Sequence, residues 1–146
     1  MANSTTLYVG DSGRTQVDVT EAKTLALSDN GIVQNVIADG ITITLPATTA
    51  GANFIIRNGG VPASSSVGVG TGSDFSCLVT VAPNASDKIQ GLAFSASDNK
   101  AALNTKATAR VGDQINLIGD GTDGWNVGNG TKGIWARAAK NNLIQG

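Results

Sequence analysis

Two aspartates, Asp120 and Asp123, are the residues whose spacing comes nearest to a chemical site. They stand in the segment D-G-T-D-G, which superficially resembles an acidic calcium-binding loop. A loop of the EF-hand type places oxygen ligands at every second position and a glutamate at the twelfth, and this segment has neither. Paired aspartates also serve glycoside hydrolases. A small hydrolase is therefore kept as a hypothesis, although the chain has only one Tyr, two Trp and three Phe to line a substrate groove.

The groups that most often perform catalysis or bind metals are scarce in this chain. It contains no histidine, which removes the commonest general base and the commonest metal ligand. Its one glutamate is Glu21, and most of its aspartates stand beside Gly, Asn or Ser, where they accept hydrogen bonds from turn backbones. We predict that the protein is not an enzyme and has no catalytic, cofactor or metal site.

Three further features suggest chemistry, but each has a simpler structural interpretation. The Gly-rich run 67–72 lacks the Gly-Lys-Ser/Thr and the helix of a phosphate-binding loop, so we expect a flexible loop. Cys77, the single cysteine, stands in F-S-C-L-V-T-V and is expected to be a small buried apolar residue. Lys132, Arg137 and Lys140 are expected to form a solvated face, with an electrostatic contact to a partner as the alternative.

Charge and hydropathy exclude two classes of partner. The formal net charge is −1 and charged residues make up 14% of the chain, so no general attraction to nucleic acid or to an anionic membrane is expected. No apolar run approaches the ~18 residues of a membrane span, and the N-terminal residues do not resemble a signal peptide. We expect a protein made in a cytoplasm. A weakly charged surface can be buried in an assembly with little desolvation cost.

Short alternating runs between turn residues predict β-strands along most of the chain. Ile41–Leu45 is the cleanest, since its apolar residues alternate with threonines before Pro46. Loops are predicted at 61–74 and, with at most one helical turn, at 95–106. The other strands are predicted at 15–19, 24–28, 32–37, 53–57, 75–82, 114–118, 125–127 and 134–136.

This pattern predicts an all-β fold with little or no helix. We expect an antiparallel, jelly-roll-like β-sandwich or barrel. Asp-Gly turns recur without a fixed period, which argues against a solenoid or propeller. We expect an extended N-terminal arm over residues 1–20 and a β domain over 21–146 that ends in a short polar tail.

Three stretches resemble small β-rich virion proteins of tailed bacteriophages. They are ITITLPATTAGANFIIRN (41–58), VTVAPNASDKIQGL (79–92) and VGDQINLIGDGTDGWNV (111–127). A free-standing chain of this length is most similar to the capsid decoration, or cement, proteins. The resemblance implies a virion protein on the outer capsid surface, bound to the major capsid protein as a homotrimer. The same pattern occurs in tail-fibre and collar modules, so a module that binds a receptor or glycan is the alternative.

Two apolar groups near the chain ends are the predicted contact residues. Leu7, Tyr8 and Val9 form an apolar island in a polar N-terminal segment, and we expect them to contact the capsid or another subunit. Near the C-terminus, Trp135, Leu143 and Ile144 are predicted at the trimer contact or its base. For Trp135, burial in the core is an equally weighted alternative, because tryptophan is enriched both in cores and in interfaces.

Overall fold

Twelve β-strands and one short 3-10 helix form the secondary structure of the part described by the computed structural model: residues 3, 6–9, 14–61, 76–91, 100–105 and 108–139. The 3-10 helix spans Leu27–Asp29. The strands are β1 Tyr8–Val9, β2 Thr15–Val19, β3 Lys23–Thr24, β4 Val33–Val36, β5 Ile41–Thr44, β6 Asn53–Asn58, β7 Val79–Ala82, β8 Lys88–Gln90, β9 Lys100–Asn104, β10 Gln114–Gly119, β11 Gly124–Val127 and β12 Ala136–Ala139. The predicted all-β class is confirmed.

The strands form two sheets that enclose one apolar core. The large sheet has seven strands in the order β1-β2-β4-β6-β10-β11-β8, and the small sheet has five in the order β12-β9-β7-β5-β3. Alternation directs one face of each strand inward: in β5, Ile41 and Ile43 are buried whereas the threonines between and after them are half-buried. The rings of Phe54 and Trp125 pack together in the core, with centroids 5.3 Å apart.

From β2 to β7 the chain passes alternately between the two sheets, so neighbouring strands are parallel. In the large sheet β2 pairs with β4 and β4 with β6, and in the small sheet β3 pairs with β5 and β5 with β7. The antiparallel jelly roll predicted from the sequence is corrected here, because successive strands cross to the other sheet instead of returning as hairpins. Gln16 lies beside Val33 and Val33 beside Ile55. The chain therefore takes 17 residues for one full passage through both sheets and 22 residues for the next. These unequal lengths conceal the repeat in the sequence.

The remaining strands complete the sandwich mainly with antiparallel pairings. β10 pairs with β6 and with β11, and β9 pairs with β7 and with β12. β8 lies parallel to β11 at the far edge of the large sheet. The predicted strands at 15–19, 32–37, 41–45, 53–57, 114–118 and 125–127 are confirmed to within one residue at each end.

Five local predictions are wrong. Within the described residues the strand predicted at 75–82 begins only at Val79, and the strand predicted at 134–136 begins at Ala136 and continues to Ala139. The other three have a recognisable reason. The strand predicted at 24–28 ends at Thr24, because the Asp29 side chain accepts a hydrogen bond from the Ala26 N–H and the chain turns into the 3-10 helix. The loop predicted at 95–106 contains β9, whose small and buried residues show no alternation. The polar tail predicted from residue 137 begins inside β12.

Strand β2 lies within the segment predicted as an N-terminal arm. It pairs with β1 on one side and with β4 on the other, and Val17 and Val19 are buried. The sandwich therefore begins well before residue 21. Cys77 is buried, as predicted, although it lies before β7 and not within a strand.

Candidate functional site

Thr48 joins the three stretches 41–58, 79–92 and 111–127. Its backbone N–H donates to Oδ2 of Asp87 at 3.0 Å, and its hydroxyl donates to the carbonyl of Gly124 at 2.6 Å. The same hydroxyl oxygen accepts a hydrogen bond from the N–H of Gly121 at 3.1 Å. Thr48 belongs to the first stretch, Asp87 to the second, and Gly121 and Gly124 to the third, so the three stretches form one loop junction at the end of the sandwich. The signature residues there hold loops together.

Two glycines allow the backbones in this junction to approach closely. A Cβ on Gly119 would lie 2.2 Å from the carbonyl oxygen of Thr49. A Cβ on Gly124 would lie 2.3 Å from the carbonyl oxygen of Lys88, and its φ of +153° is one that other residues rarely adopt. These glycines are therefore explained by packing between loops.

The Asp120 carboxylate accepts hydrogen bonds from the backbone of its own turn. Its Oδ1 accepts hydrogen bonds from the backbone N–H groups of Thr122 and Asp123 at 2.8 Å and of Gly124 at 3.0 Å. These bonds hold the pKa of the Asp120 carboxyl below its usual value, because they stabilise the charged form. The predicted role of this aspartate as a turn residue is confirmed.

The described residues contain no group of three or more His, Cys, Asp or Glu placed to hold a metal ion. Nor does any helix within the described ranges have the length and apolarity needed to cross a membrane.

A buried polar cluster, which sequence reasoning missed, lies where β6, β9 and the start of β10 meet. The Asn58 amide donates to the Cys77 carbonyl at 2.8 Å and to Oδ1 of Asn104 at 2.6 Å, and its Oδ1 accepts from the N–H of Cys77 at 3.0 Å. Asn104 in turn donates to Oδ2 of Asp113 at 3.1 Å. From the sequence, Asn58 is only the start of an Asn-Gly-Gly turn, because no local signal marks an asparagine as buried. The cluster joins the two sheets.

The predicted N-terminal contact residues lie together at the edge of the large sheet. Leu7, Tyr8 and Val9 are 52%, 40% and 71% exposed. The Tyr8 hydroxyl donates to Oδ1 of Asp18 at 2.5 Å and accepts from the Gln16 amide at 2.6 Å. Partial burial and the nearby Asp18 carboxylate raise the pKa of the Tyr8 hydroxyl. Tyr8 thus attaches β1 to the sheet and leaves its two aliphatic neighbours exposed.

The predicted C-terminal contact residues are distributed differently. Trp135 is 7% exposed and belongs to the main core, and its indole N–H donates to the carbonyl of Lys132 at 3.1 Å. Its ring therefore offers little surface to a second subunit. Of the two alternatives for Trp135, the structure supports burial in the core. Leu143 and Ile144 lie outside the described residues.

Two other surface features are less suited to a partner. The side chain of Arg137 extends to the carbonyl of Ile89 at 2.8 Å and is half-buried, so it does not join exposed Lys132 in a free basic patch. Lys140 lies outside the described residues. An open groove of about 290 Å³ is lined by the aliphatic residues Leu27, Ala50 and Ala52 with Asn30, Thr49 and Gly51.

Comparisons of the chain with protein families, with curated proteins and with solved structures find no match.

Proposed function

We propose that this protein is a decoration protein of a tailed-bacteriophage capsid. In this proposal it binds the major capsid protein on the outer surface of the shell as a homotrimer and stabilises the assembled lattice. The single observation that carries the proposal is the exposed apolar edge at Leu7 and Val9. Tyr8 holds this edge on an otherwise well-packed sandwich whose described acidic residues form no metal-binding cluster.

The geometry suits stabilisation by mass action. A protein that binds the assembled shell and not its free subunits stabilises the shell in proportion to the occupied sites. Each apolar contact is small, but a trimer presents three of them, and multivalent binding multiplies a weak contact into high avidity. A chain with few charges loses little solvation when its surface is covered.

Co-sedimentation with expanded, undecorated capsids tests this proposal. We expect the purified protein to pellet with the capsids at a saturable ratio and to raise the temperature at which they dissociate. A protein that stays in the supernatant at micromolar concentration would refute the proposal. A mass measurement in solution tests the trimer separately, since a monomer at high concentration contradicts that part.

The alternative of a receptor- or glycan-binding fibre module predicts an exposed aromatic residue in a shallow pocket. The open groove beside Leu27 has no aromatic residue among its lining, and Tyr8 is engaged with Asp18 and Gln16. A glycan array distinguishes the two proposals, because a specific signal there without capsid binding would favour the fibre module.

A further inference from the structure

The two sheets of the sandwich do not end together on the N-terminal side. The strands follow the same order in the two sheets: β2-β4-β6 in the large sheet lies over β3-β5-β7 in the small sheet. β3 is the last strand of the small sheet, whereas the large sheet continues past β2 to β1. Strand β1 therefore overhangs the small sheet by the width of one strand.

The overhanging strand β1 directs apolar side chains toward the face of the large sheet on which the small sheet packs elsewhere. Tyr8 lies beside Gln16, and its hydroxyl contacts Asp18, on the face opposite the buried Val17. Because side chains alternate along a strand, Leu7 and Val9 lie on the core-facing side. They are exposed, although Val17 and Val19 on the same face of β2 are buried. Among the described residues, no strand of the small sheet covers them.

Among the described strands, none pairs with the outer edge of β3 beneath this overhang. The N–H of Leu25 donates to the carbonyl of Thr44 at 2.8 Å, so Leu25 and, by alternation, Lys23 direct their backbone groups toward β5. In a parallel ladder the residue between two such residues directs its backbone N–H and carbonyl to the opposite side of the strand. The N–H and carbonyl of Thr24 therefore face away from β5, toward a side on which no described strand lies.

We infer that this open step, formed by Leu7 and Val9 above and the Thr24 edge beside them, accepts one added β-strand. The inference rests on the proposed function for its partner: the occupant is an extended segment of the shell protein with apolar residues at alternate positions. Backbone hydrogen bonds to the edge would give affinity, and apolar side chains beneath Leu7 and Val9 would give specificity.

Charge and area favour this occupant over a docked second copy. The exposed side chains nearest the step are Thr6, Thr15, Ala22 and Thr24. Two exposed residues of opposite charge, Arg14 and Glu21, flank β2, so the surroundings carry no net charge. A neutral segment therefore matches the surroundings better than a charged one. Two aliphatic side chains fall far short of the roughly 800 Å² per partner that a stable dimer buries. A single strand needs less area because its backbone groups are paired.

Two variants with matched controls test the added strand. Thr24→Pro removes the outward N–H and leaves the bonds to β5, and Thr24→Ala is its control because it keeps that N–H. Val9→Asp places a charge in the apolar step, and Ile134→Asp is its control at another exposed aliphatic residue, 60% exposed. We expect Thr24→Pro and Val9→Asp each to weaken co-sedimentation with undecorated capsids at least tenfold, and each control to change it less than twofold.

The outcomes separate this inference from the proposed function. If the unaltered protein does not bind capsids, the proposed function fails. If it binds, and both variants bind as well as their controls, the added strand is overturned while the proposed function stands. If Thr24→Pro instead dissociates an oligomer in solution, the occupant is a second copy and the assignment to the shell protein is overturned. Val9→Asp keeps the added strand open to refutation even if the proline variant does not fold, because an exposed side chain tolerates the change and unaltered binding of this variant would overturn the inference.

Discussion

Replacing Asn58 by alanine should be among the most destabilising single changes in this protein. The Asn58 side chain makes four hydrogen bonds: two from its amide, to the Cys77 carbonyl and Asn104, and two to its carbonyl oxygen, from the N–H groups of Cys77 and Gly60. Asn58 and Asn104 are fully buried, and the backbone partners lie in buried residues. Removing the amide therefore leaves four buried polar groups without this partner.

The magnitude follows from the cost of an unsatisfied buried polar group, which is about 1–3 kcal/mol. Four groups at the lower limit give a loss of about 4 kcal/mol in the free energy of unfolding. A water molecule entering the space left by the amide could satisfy some of them, which is why the lower limit is used. A loss of this size is a large fraction of the ~5–15 kcal/mol that stabilises a typical domain.

Urea unfolding monitored by tryptophan fluorescence measures this loss, because both tryptophans are buried in the folded protein. Asn126→Ala is the matched control: the same chemical change at an exposed residue, whose one side-chain bond is to Gln90. We expect the control to change the free energy of unfolding by less than ~0.5 kcal/mol. If Asn58→Ala loses less than ~1 kcal/mol, the reasoning that this cluster joins the sheets is refuted.

Three further predictions concern the loop junction and the N-terminal edge. Gly119→Ala should lower the free energy of unfolding by about 1–3 kcal/mol, because its Cβ would overlap the Thr49 carbonyl; an unchanged melting temperature would contradict this. The lowered pKa of Asp120 means that its stabilisation is present above its unfolded pKa of ~3.9 and is lost as the pH falls through the lower folded value. Urea titrations at several pH values should therefore show the stability advantage over Asp120→Asn shrinking below about pH 4, and a constant difference would argue against it. The raised pKa of Tyr8 has the opposite consequence for stability. Its stabilisation is present below its unfolded pKa of ~10 and is lost as the pH rises through the folded value. Tyr8→Phe should therefore flatten the alkaline limb of the curve of stability against pH. An alkaline limb identical to that of the unaltered protein would contradict the raised pKa of Tyr8.

Local patterns identified most of the strands but not how they pair. Alternation in 41–45 and turn residues on either side predict a strand whatever lies beside it. Whether that strand has a parallel or an antiparallel neighbour depends on where the chain goes after the turn. In this protein the chain crosses to the other sheet, and a crossing turn and a hairpin turn use similar glycine and asparagine residues.

The candidate contact residues show the same division. The apolar character of Leu7, Tyr8 and Val9 is visible in a polar segment, and the structure places all three on an exposed edge. Trp135 has equally suggestive neighbours in the sequence, yet it is buried. The difference arises because Trp135 packs into the core between the sheets, whereas no described strand of the small sheet lies beneath Leu7 and Val9. Nothing local encodes the width of a sheet.

The sequence by itself determined the all-β class, the turn role of Asp120 and the apolar character of the N-terminal edge, because these depend on residues close together in the chain. Only the tertiary structure decided the parallel turns between two sheets, the burial of Asn58 and Asn104, and the overhang of β1 beyond β3. Each of these depends on segments tens of residues apart meeting across the core. The hydrogen-bonding and apolar requirements of such contacts are met by placement in space and leave no periodic trace in the sequence.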